Sequence, residues 1–395
     1  MLCLDIDPDT QRLLEMIRWL GREHMRPLGL EADRQHRPIP ADHPFFQLVW
    51  DLGIGRQGWG DEGDTKEERR SARRGVVLAE EMSYWDRGVA VALPGPGLGG
   101  PPVSLLGTVE QKERFLGLFA RSERPCWGAF AMTEPNAGSD VAAIRTRAYR
   151  DGESWVLNGE KMFCSNGARA SWVVVWATVD PALGRNGHRA FVVERGTPGF
   201  RVARIEDKMG LVAYESAALV LEDCKVPAAN LLGGESAYQE RAGFKGAMQS
   251  FNATRPIVAA MALGIARAAF DQAREFLRSQ YMITRSIARY RRFLDKLAWI
   301  ERKIESGRLL CWHAAYLADM RAPNVLEASI AKAFCPQVAQ EATSLAMEIF
   351  GDAGVRKDLL VEKWFRDVKA MDIVEGTGQI QRRIIARQLT GLSGE

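Results

Sequence analysis

The repeat period of the apolar residues changes twice along this chain, and few folds accommodate both changes. In the first 124 residues the apolar positions recur at helical spacing, as at Leu13, Leu14, Ile17, Leu20 and Met25. From about residue 125 the pattern shortens. Trp127–Met132, Ser154–Leu157, Trp172–Thr178, Arg189–Val193 and Ala217–Leu221 are rich in β-branched and aromatic residues, with Gly, Asn, Asp and Pro turns between them. Past Gly234 the helical period returns and lasts to the end. The expectation is an α+β chain: an all-α N-terminal domain (1–124), a middle β-barrel or sandwich domain (125–236) and a C-terminal four-helix bundle (237–395).

Finer readings follow from caps and breakers. Residues 8–30 read as one amphipathic helix with Asp9-Thr10 placed to cap it, and Pro38, Pro40 and Pro44 mark a loop before a short helix from Phe45 to Gly53. A long helix is expected over 65–93 and another from Ser104 to Ala120. Between them, Gly95, Gly97 and Gly100 match G-x-G-x-x-G. A dinucleotide fingerprint must follow a strand, and this one follows a helical pattern, so it reads as a loop. Pro256 suits the first turn of a helix running to about Ser279, with further helices over 290–320, 325–349 and 378–391.

Composition removes several functions. A net charge of +3 on 395 residues does not imply a nucleic-acid or membrane partner. The basic and aromatic stretch Thr284–Phe293 is the one place where nucleic acid is conceivable, and no nucleic-acid binding is expected. Six scattered cysteines without C-x-x-C spacing argue against a disulfide framework or a zinc site, and the five histidines do not cluster, so no metal is expected. That cysteine usage fits a reducing cytoplasm. No signal peptide and no membrane span are expected.

The stretch Met371–Leu389 carries the strongest chemical signal. Glu375 precedes Gly376 and Thr377, and an apolar-periodic run with Ile380, Ile384, Ile385 and Leu389 follows. Thr377 is a good N-cap, so Glu375 belongs on the loop before a helix. A carboxylate between Val374 and a glycine can be desolvated toward the pKa of a general base. An ordinary acid before a helix start is the alternative on these residues alone.

Upstream segments decide. Ala131-Met-Thr-Glu-Pro-Asn-Ala-Gly-Ser-Asp-Val141, Asn158-Gly-Glu-Lys-Met-Phe-Cys-Ser-Asn-Gly167, Thr254-Arg-Pro256 and Glu375-Gly-Thr-Gly-Gln379 occur in this order. Together they resemble the acyl-CoA dehydrogenase family over nearly the full length. The resemblance implies an FAD enzyme that abstracts the pro-R α-proton of an acyl-CoA thioester while the β-hydride passes to flavin N5, giving the trans-2-enoyl-CoA. It implies a place in fatty acid and lipid metabolism and an electron-transfer flavoprotein as acceptor.

Carried over residue by residue, Glu375 matches the base. Some members place the base at the position matching Thr254, where this chain has no acid. Arg255 matches a residue close to the base and the thioester. The backbone N–H of Glu375 would help bind the thioester oxygen. Phe130, Met132, Thr133, Gly138 and Ser139 match the strand and loop lining the flavin ring, and Phe163, Cys164 and Ser165 match the segment stacking on it and meeting N5. Thr377 and Gln379 match contacts to the adenosine end. On the substrate side the resemblance implies Ser139, Asn252, Arg255 and Gly376. Flavin oxygenase or oxidase relatives usually lack the carboxylate.

The pattern departs at the part of the FAD site that the family builds across subunits. Gln280-Tyr-Met-Ile-Thr284, Tyr290-Arg291 and Glu348-Ile-Phe-Gly-Asp352 replace segments that usually hold an arginine and a His-Gln pair and carry no acids. Acids beside a pyrophosphate are unfavourable. Either Arg285, Arg289, Arg291 and Arg292 restore the charge in a homo-oligomeric dimer or tetramer, or a second acyl-CoA dehydrogenase subunit completes the site in a hetero-oligomer.

Overall fold

The computed structural model describes residues 6–56, 71–239, 242–281 and 287–391. The N-terminal part opens with α1 (Pro8–Leu20), a π-turn (Gly21–Met25) and α2 (Arg26–Gln35). Asp7, two residues earlier than expected, is the cap: its carboxylate accepts the Thr10 N–H at 2.8 Å. After α3 (Pro44–Asp51) comes α4 (Ala72–Ala92). Residues 65–70 of the expected long helix lie outside the described residues.

Helix α4 is not continuous. Asp86 has strand-like angles (φ −163, ψ 115), and its Oδ1 accepts the Val89 N–H at 2.9 Å, capping a fresh start of helix. The expected single helix 104–120 is three pieces, α5 (Gly100–Leu106), α6 (Val109–Phe115) and α7 (Gly117–Arg121). Thr108 and Gln111 form a capping box that restarts the chain as α6. The Gly95–Gly100 segment is a loop and short 3-10 turn following α4, as expected.

The middle part is one seven-stranded, curled sheet: β1 (Gly128–Ala131), β2 (Arg147–Asp151), β3 (Ser154–Ser165), β4 (Trp172–Thr178), β5 (His188–Glu194), β6 (Phe200–Ile205) and β7 (Ser216–Pro227). β1 and then β2 share one edge of β4, and β5 pairs antiparallel with the other. All seven residues of β4 are buried because both faces are covered. Val173, Val175 and Ala177 join one core, while Trp172, Val174 and Trp176 join another containing Trp50, Val103, Phe115 and Phe119 from the N-terminal helices. The sheet is therefore fastened to the N-terminal helices by the face that alternation assigns to them.

After the short α8 (Ser236–Gln239), the C-terminal part is α9 (Ala242–Phe276), α10 (Ile287–Asp319), α11 (Val325–Phe350), α12 (Leu360–Asp367) and α13 (Gly378–Thr390). Pro256 lies well inside α9 rather than in its first turn. The largest core cluster runs through α9, α10 and α11 and reaches into α2, α3 and α4, so the two helical parts share one interior.

Where they meet the sheet, buried charges lock all three parts. Lys363 donates to Asp86 Oδ2 at 2.7 Å and to Asp367 Oδ2 at 2.6 Å, and Asp367 Oδ1 accepts the Leu211 N–H at 2.5 Å. Arg366, beside Asp367, grips both carboxylate oxygens of Asp33.

Candidate active site

Glu375 sits on the turn before α13. The turn needs two successive left-handed residues, Glu375 at φ +53 and Gly376 at φ +96. A Cβ on residue 376 would also lie 2.6 Å from Gln381 Nε2, so that amide would have to shift as well. Thr377 caps α13 as expected, its hydroxyl accepting the Ile380 N–H at 3.3 Å.

Lys332 closes this turn from beneath. It is 0% exposed on α11, and its Nζ donates to the carbonyls of Met371 (2.8 Å) and Gly376 (3.3 Å). Gln381, also fully buried, donates to the same Gly376 carbonyl at 3.1 Å. The sequence reading missed Lys332. A signal was present: it is the one charged residue between Glu327 and Glu341 in an otherwise apolar or neutral run.

The carboxylate itself accepts a hydrogen bond from the Thr254 hydroxyl at 2.8 Å. Thr254, first noticed because it is not an acid, thus supports the acid. Burial raises the pKa of Glu375; the Thr254 bond and the positive charges of Arg87, Lys332 and Arg255 oppose the rise without cancelling it. Lys332 is pushed down to about 8 by burial, with Glu375 and Asp372 pulling the other way. Arg255 is buried inside α9, next to Thr254, and is near enough to feel the Glu375 charge.

The segment after β1 is organised by a buried ion pair that the sequence reading did not single out. Lys161 donates to Glu134 at 2.7 Å and to the Met132 carbonyl at 3.0 Å, and Glu134 also accepts the N–H groups of Arg145 and Thr146. Burial works against the charge on Glu134, but Lys161 and the other donors outweigh it and hold the carboxyl below its ordinary range. Phe130 and Thr133 are half-buried, Met132 is buried, and Gly138 and Ser139 are exposed. A bond from the Met162 N–H to the Thr133 carbonyl (2.9 Å) brings this loop against β3.

At that point β3 bulges. Its register with β7 shifts between Lys161 and Cys164, and Phe163 takes left-handed angles (φ +55) and is 56% exposed. A bulky residue in this conformation is strained, and the bulge turns the ring off the sheet. Cys164 points into the core instead, where burial drives its thiol up to about 12, so only its backbone is left for a ligand. Ser165 lies close enough to buried Tyr214 to favour its ionised form, against the burial that raises the phenol; Tyr214 is another residue the sequence reading missed. An exposed aromatic face, flanking hydroxyls and open space beside Gly138 fit a planar heteroaromatic ring such as a flavin. Thr377 and exposed Gln379 stand at the start of α13, which packs on α11.

Other expected residues fall elsewhere. The side chain of Asn252 and the whole of 282–286, including Arg285, lie outside the described residues. Glu348 is held by Lys296 at 2.7 Å, with Arg292 at 4.0 Å, and Arg289 lies over the Phe293 ring. A surface groove of about 420 Å³ between α10 and α11 is lined by Lys296, Trp299, Gln340 and Glu348, none of which adjoins the acid-bearing turn in sequence. Among the described residues no group of acids, histidines and cysteines is arranged to hold a metal ion, and no helix is long and apolar enough to cross a membrane.

Comparison with known proteins is consistent along the whole chain. Family models for the acyl-CoA dehydrogenase N-terminal, middle and C-terminal domains match residues 7–123, 129–224 and 241–390. The chain is 35% identical to an acryloyl-CoA reductase (NADH) of Anaerotignum propionicum, over 97% of this chain and 96% of that one. It superposes on butyryl-CoA dehydrogenase from Megasphaera elsdenii with a TM-score of 0.87 at 32% identity, covering 98% and 99% of the two chains. A chain from a structural study of the electron transferring flavoprotein of Acidaminococcus fermentans and flavin-based electron bifurcation gives 0.86 at 34%, with 98% and 99% covered.

Proposed function

The chain belongs to the acyl-CoA dehydrogenase family, whose members are FAD flavoproteins, and from that premise we propose that it oxidises an acyl-CoA thioester to the trans-2-enoyl-CoA with Glu375 as the base. The observation that supports this most is the state of Glu375: a desolvated carboxyl with a raised pKa, on a turn that Lys332 and Thr254 hold in place. Such a carboxylate gains from taking a proton, which is what removal of a weakly acidic α-hydrogen requires.

Arg255 and Lys332 place positive charge beside the base, where negative charge develops on the thioester as the proton leaves. The N–H of Glu375 is a donor for the thioester oxygen. Bound FAD supplies the acceptor for the β-hydride. Phe130, Met132, Thr133, Gly138, Ser139, Phe163 and Ser165 would hold its ring system, with Thr377 and Gln379 at the adenosine end. Electron-transfer flavoprotein is the proposed acceptor. An oligomer that shares each FAD between subunits is proposed. A heteromeric partner remains a second reading, favoured by Lys296 and Arg292 being engaged by Glu348 rather than left for a pyrophosphate.

The test is anaerobic titration of the purified flavoprotein with butyryl-CoA. The visible flavin band should bleach in wild type and fail to bleach in Glu375→Gln. Bleaching at the wild-type rate in that variant would remove Glu375 from the role. Stoichiometric flavin in a homo-oligomer would remove the heteromeric reading.

A further inference from the structure

The backbone at Glu375 is pinned, and its side chain has to be aimed separately. Lys332 donates to the carbonyls of Met371 and Gly376 on either side of it, and Gln381 adds a second donor to the Gly376 carbonyl. The side-chain torsions of Glu375 then decide where its carboxylate points. Cations face it from the helices packed around the turn: Arg87 on α4, Arg255 on α9 and Lys332 on α11. Asp372, at the end of the 3-10 turn before Glu375, acts on Lys332. Among the described residues no lysine or arginine nitrogen comes within 4.0 Å of the Glu375 carboxylate.

One neutral group does touch it. The Thr254 hydroxyl donates to Glu375 Oε2 at 2.8 Å, and it is the only hydrogen-bond donor to that carboxylate among the described residues. Thr254 is suited to fixing a direction. It lies inside α9, and a β-branched side chain on a helix has few χ1 states, so the helix backbone sets the place of the hydroxyl. The other oxygen, Oε1, has no hydrogen-bond partner among the described residues, and Glu375 is half-buried rather than sealed.

The sign of this contact matters. A hydrogen bond donated to a carboxylate favours its charged form, so Thr254 takes back part of the proton affinity that burial gives Glu375. For a base that is a cost. What the contact supplies in return is direction: with Oε2 held, Oε1 and its lone pairs stand at a fixed place.

We propose that Thr254 is a positioning residue that holds Glu375 Oε2, leaving Oε1 as the oxygen that takes the α-proton of the acyl-CoA thioester. The α-carbon–hydrogen bond breaks, the proton goes to Oε1, and the electron pair stays on the thioester. This rests on the dehydrogenase reading above and assigns the reacting atom within it.

The experiment follows anaerobic flavin bleaching by butyryl-CoA and by octanoyl-CoA against pH, in wild type, Thr254→Val, Thr254→Ala and Thr254→Ser. Bound flavin is quantified in each, and affinity for the matching enoyl-CoA product is measured by calorimetry. Thr254→Val keeps the shape and removes the hydroxyl. Its bleaching rate on the high-pH plateau should fall by about 10–100-fold, with product affinity within about twofold of wild type. Its acid limb should move up by about one pH unit, because a hydrogen bond to the charged form is lost. These two changes oppose each other, since a stronger base that was still well aimed would react faster. Thr254→Ala should behave like Thr254→Val, and carries the test if the valine variant folds poorly. Thr254→Ser keeps the hydroxyl and should recover most of the rate and the wild-type limb. An undiminished plateau rate in the hydroxyl-free variants, a rate loss without movement of the limb, or a serine variant as slow as the valine one would each overturn the assignment. If neither thioester bleaches the wild-type flavin, the dehydrogenase reading fails and this inference with it. If wild type bleaches and Glu375→Gln does not, that reading stands whatever the Thr254 variants do.

Discussion

Lys332 and Lys363 lie fully buried in the C-terminal part of the chain, and they are held in opposite ways. Lys363 is clamped by the carboxylates of Asp86 and Asp367. Burial alone would lower its pKa, but Asp367 and Asp86 outweigh burial and raise it above the ordinary lysine value. Lys332 is bound by two backbone carbonyls, and burial prevails, bringing it to about 8. The first lysine is a rivet between three parts of the fold. The second is compensated less fully than its burial demands, and the Glu375 carboxyl beside it is raised by burial in the same way, as the proposed base would require. The difference separates the region built for strength from the region built for chemistry.

That contrast can be broken by mutation. The largest effect should come from Glu375→Gln: a loss of about 10³-fold or more in the rate of flavin bleaching, without loss of stability, because a desolvated carboxylate is removed. A lowered melting temperature together with the lost rate would place Glu375 among the structural charges instead.

Lys363→Met should do the reverse. It leaves two carboxylates buried without their cation and should cost about 3–5 kcal/mol in urea unfolding, while the pH dependence of turnover in the surviving folded enzyme stays put.

Lys332→Met should fall between them. Two carbonyls lose a donor, at about 1–3 kcal/mol, but a desolvated charge also disappears, so the net stability change should be smaller than for Lys363→Met. Its signature is kinetic. Removing the cation raises the Glu375 pKa further, so the acid limb of kcat should move to higher pH. An unmoved limb would mean that Lys332 only braces the turn.

The smallest effect is the sharpest in sign. The folded pKa of Lys332, near 8, lies below the unfolded value of about 10.4. Between those values the unfolded chain holds the extra proton, so the stability difference between wild type and Lys332→Met should rise with pH. For Lys363 the folded pKa lies above the unfolded one. Its contribution should be flat below about pH 10 and fall above it. Opposite slopes in urea midpoints measured against pH test the pair; parallel slopes would erase the distinction.

Much of this was legible in the sequence, for reasons that also mark the limit. The two changes of period placed the β segment between helical parts because β4 and the large helices bury whole faces. Strands β2 and β6 were not seen. Each has almost every residue exposed or half-exposed, so no apolar alternation is left to read. Glu375, Thr377 and the Phe163 segment announce themselves through local turn chemistry and family resemblance. The break at Asp86 does not, because its partner Lys363 is 277 residues away.

The exposed ring of Phe163 has a consequence for the life of the protein in the cell. At the bulge the protein part of the proposed flavin site has a strained backbone and an exposed aromatic residue. Ligand binding to the native state adds stability that grows with the logarithm of free ligand over its dissociation constant. A freshly made chain without FAD is therefore a better client for proteases and chaperones than the loaded one. If FAD binds there as proposed, cofactor supply would set how much of this protein accumulates, before any question of how fast it turns over.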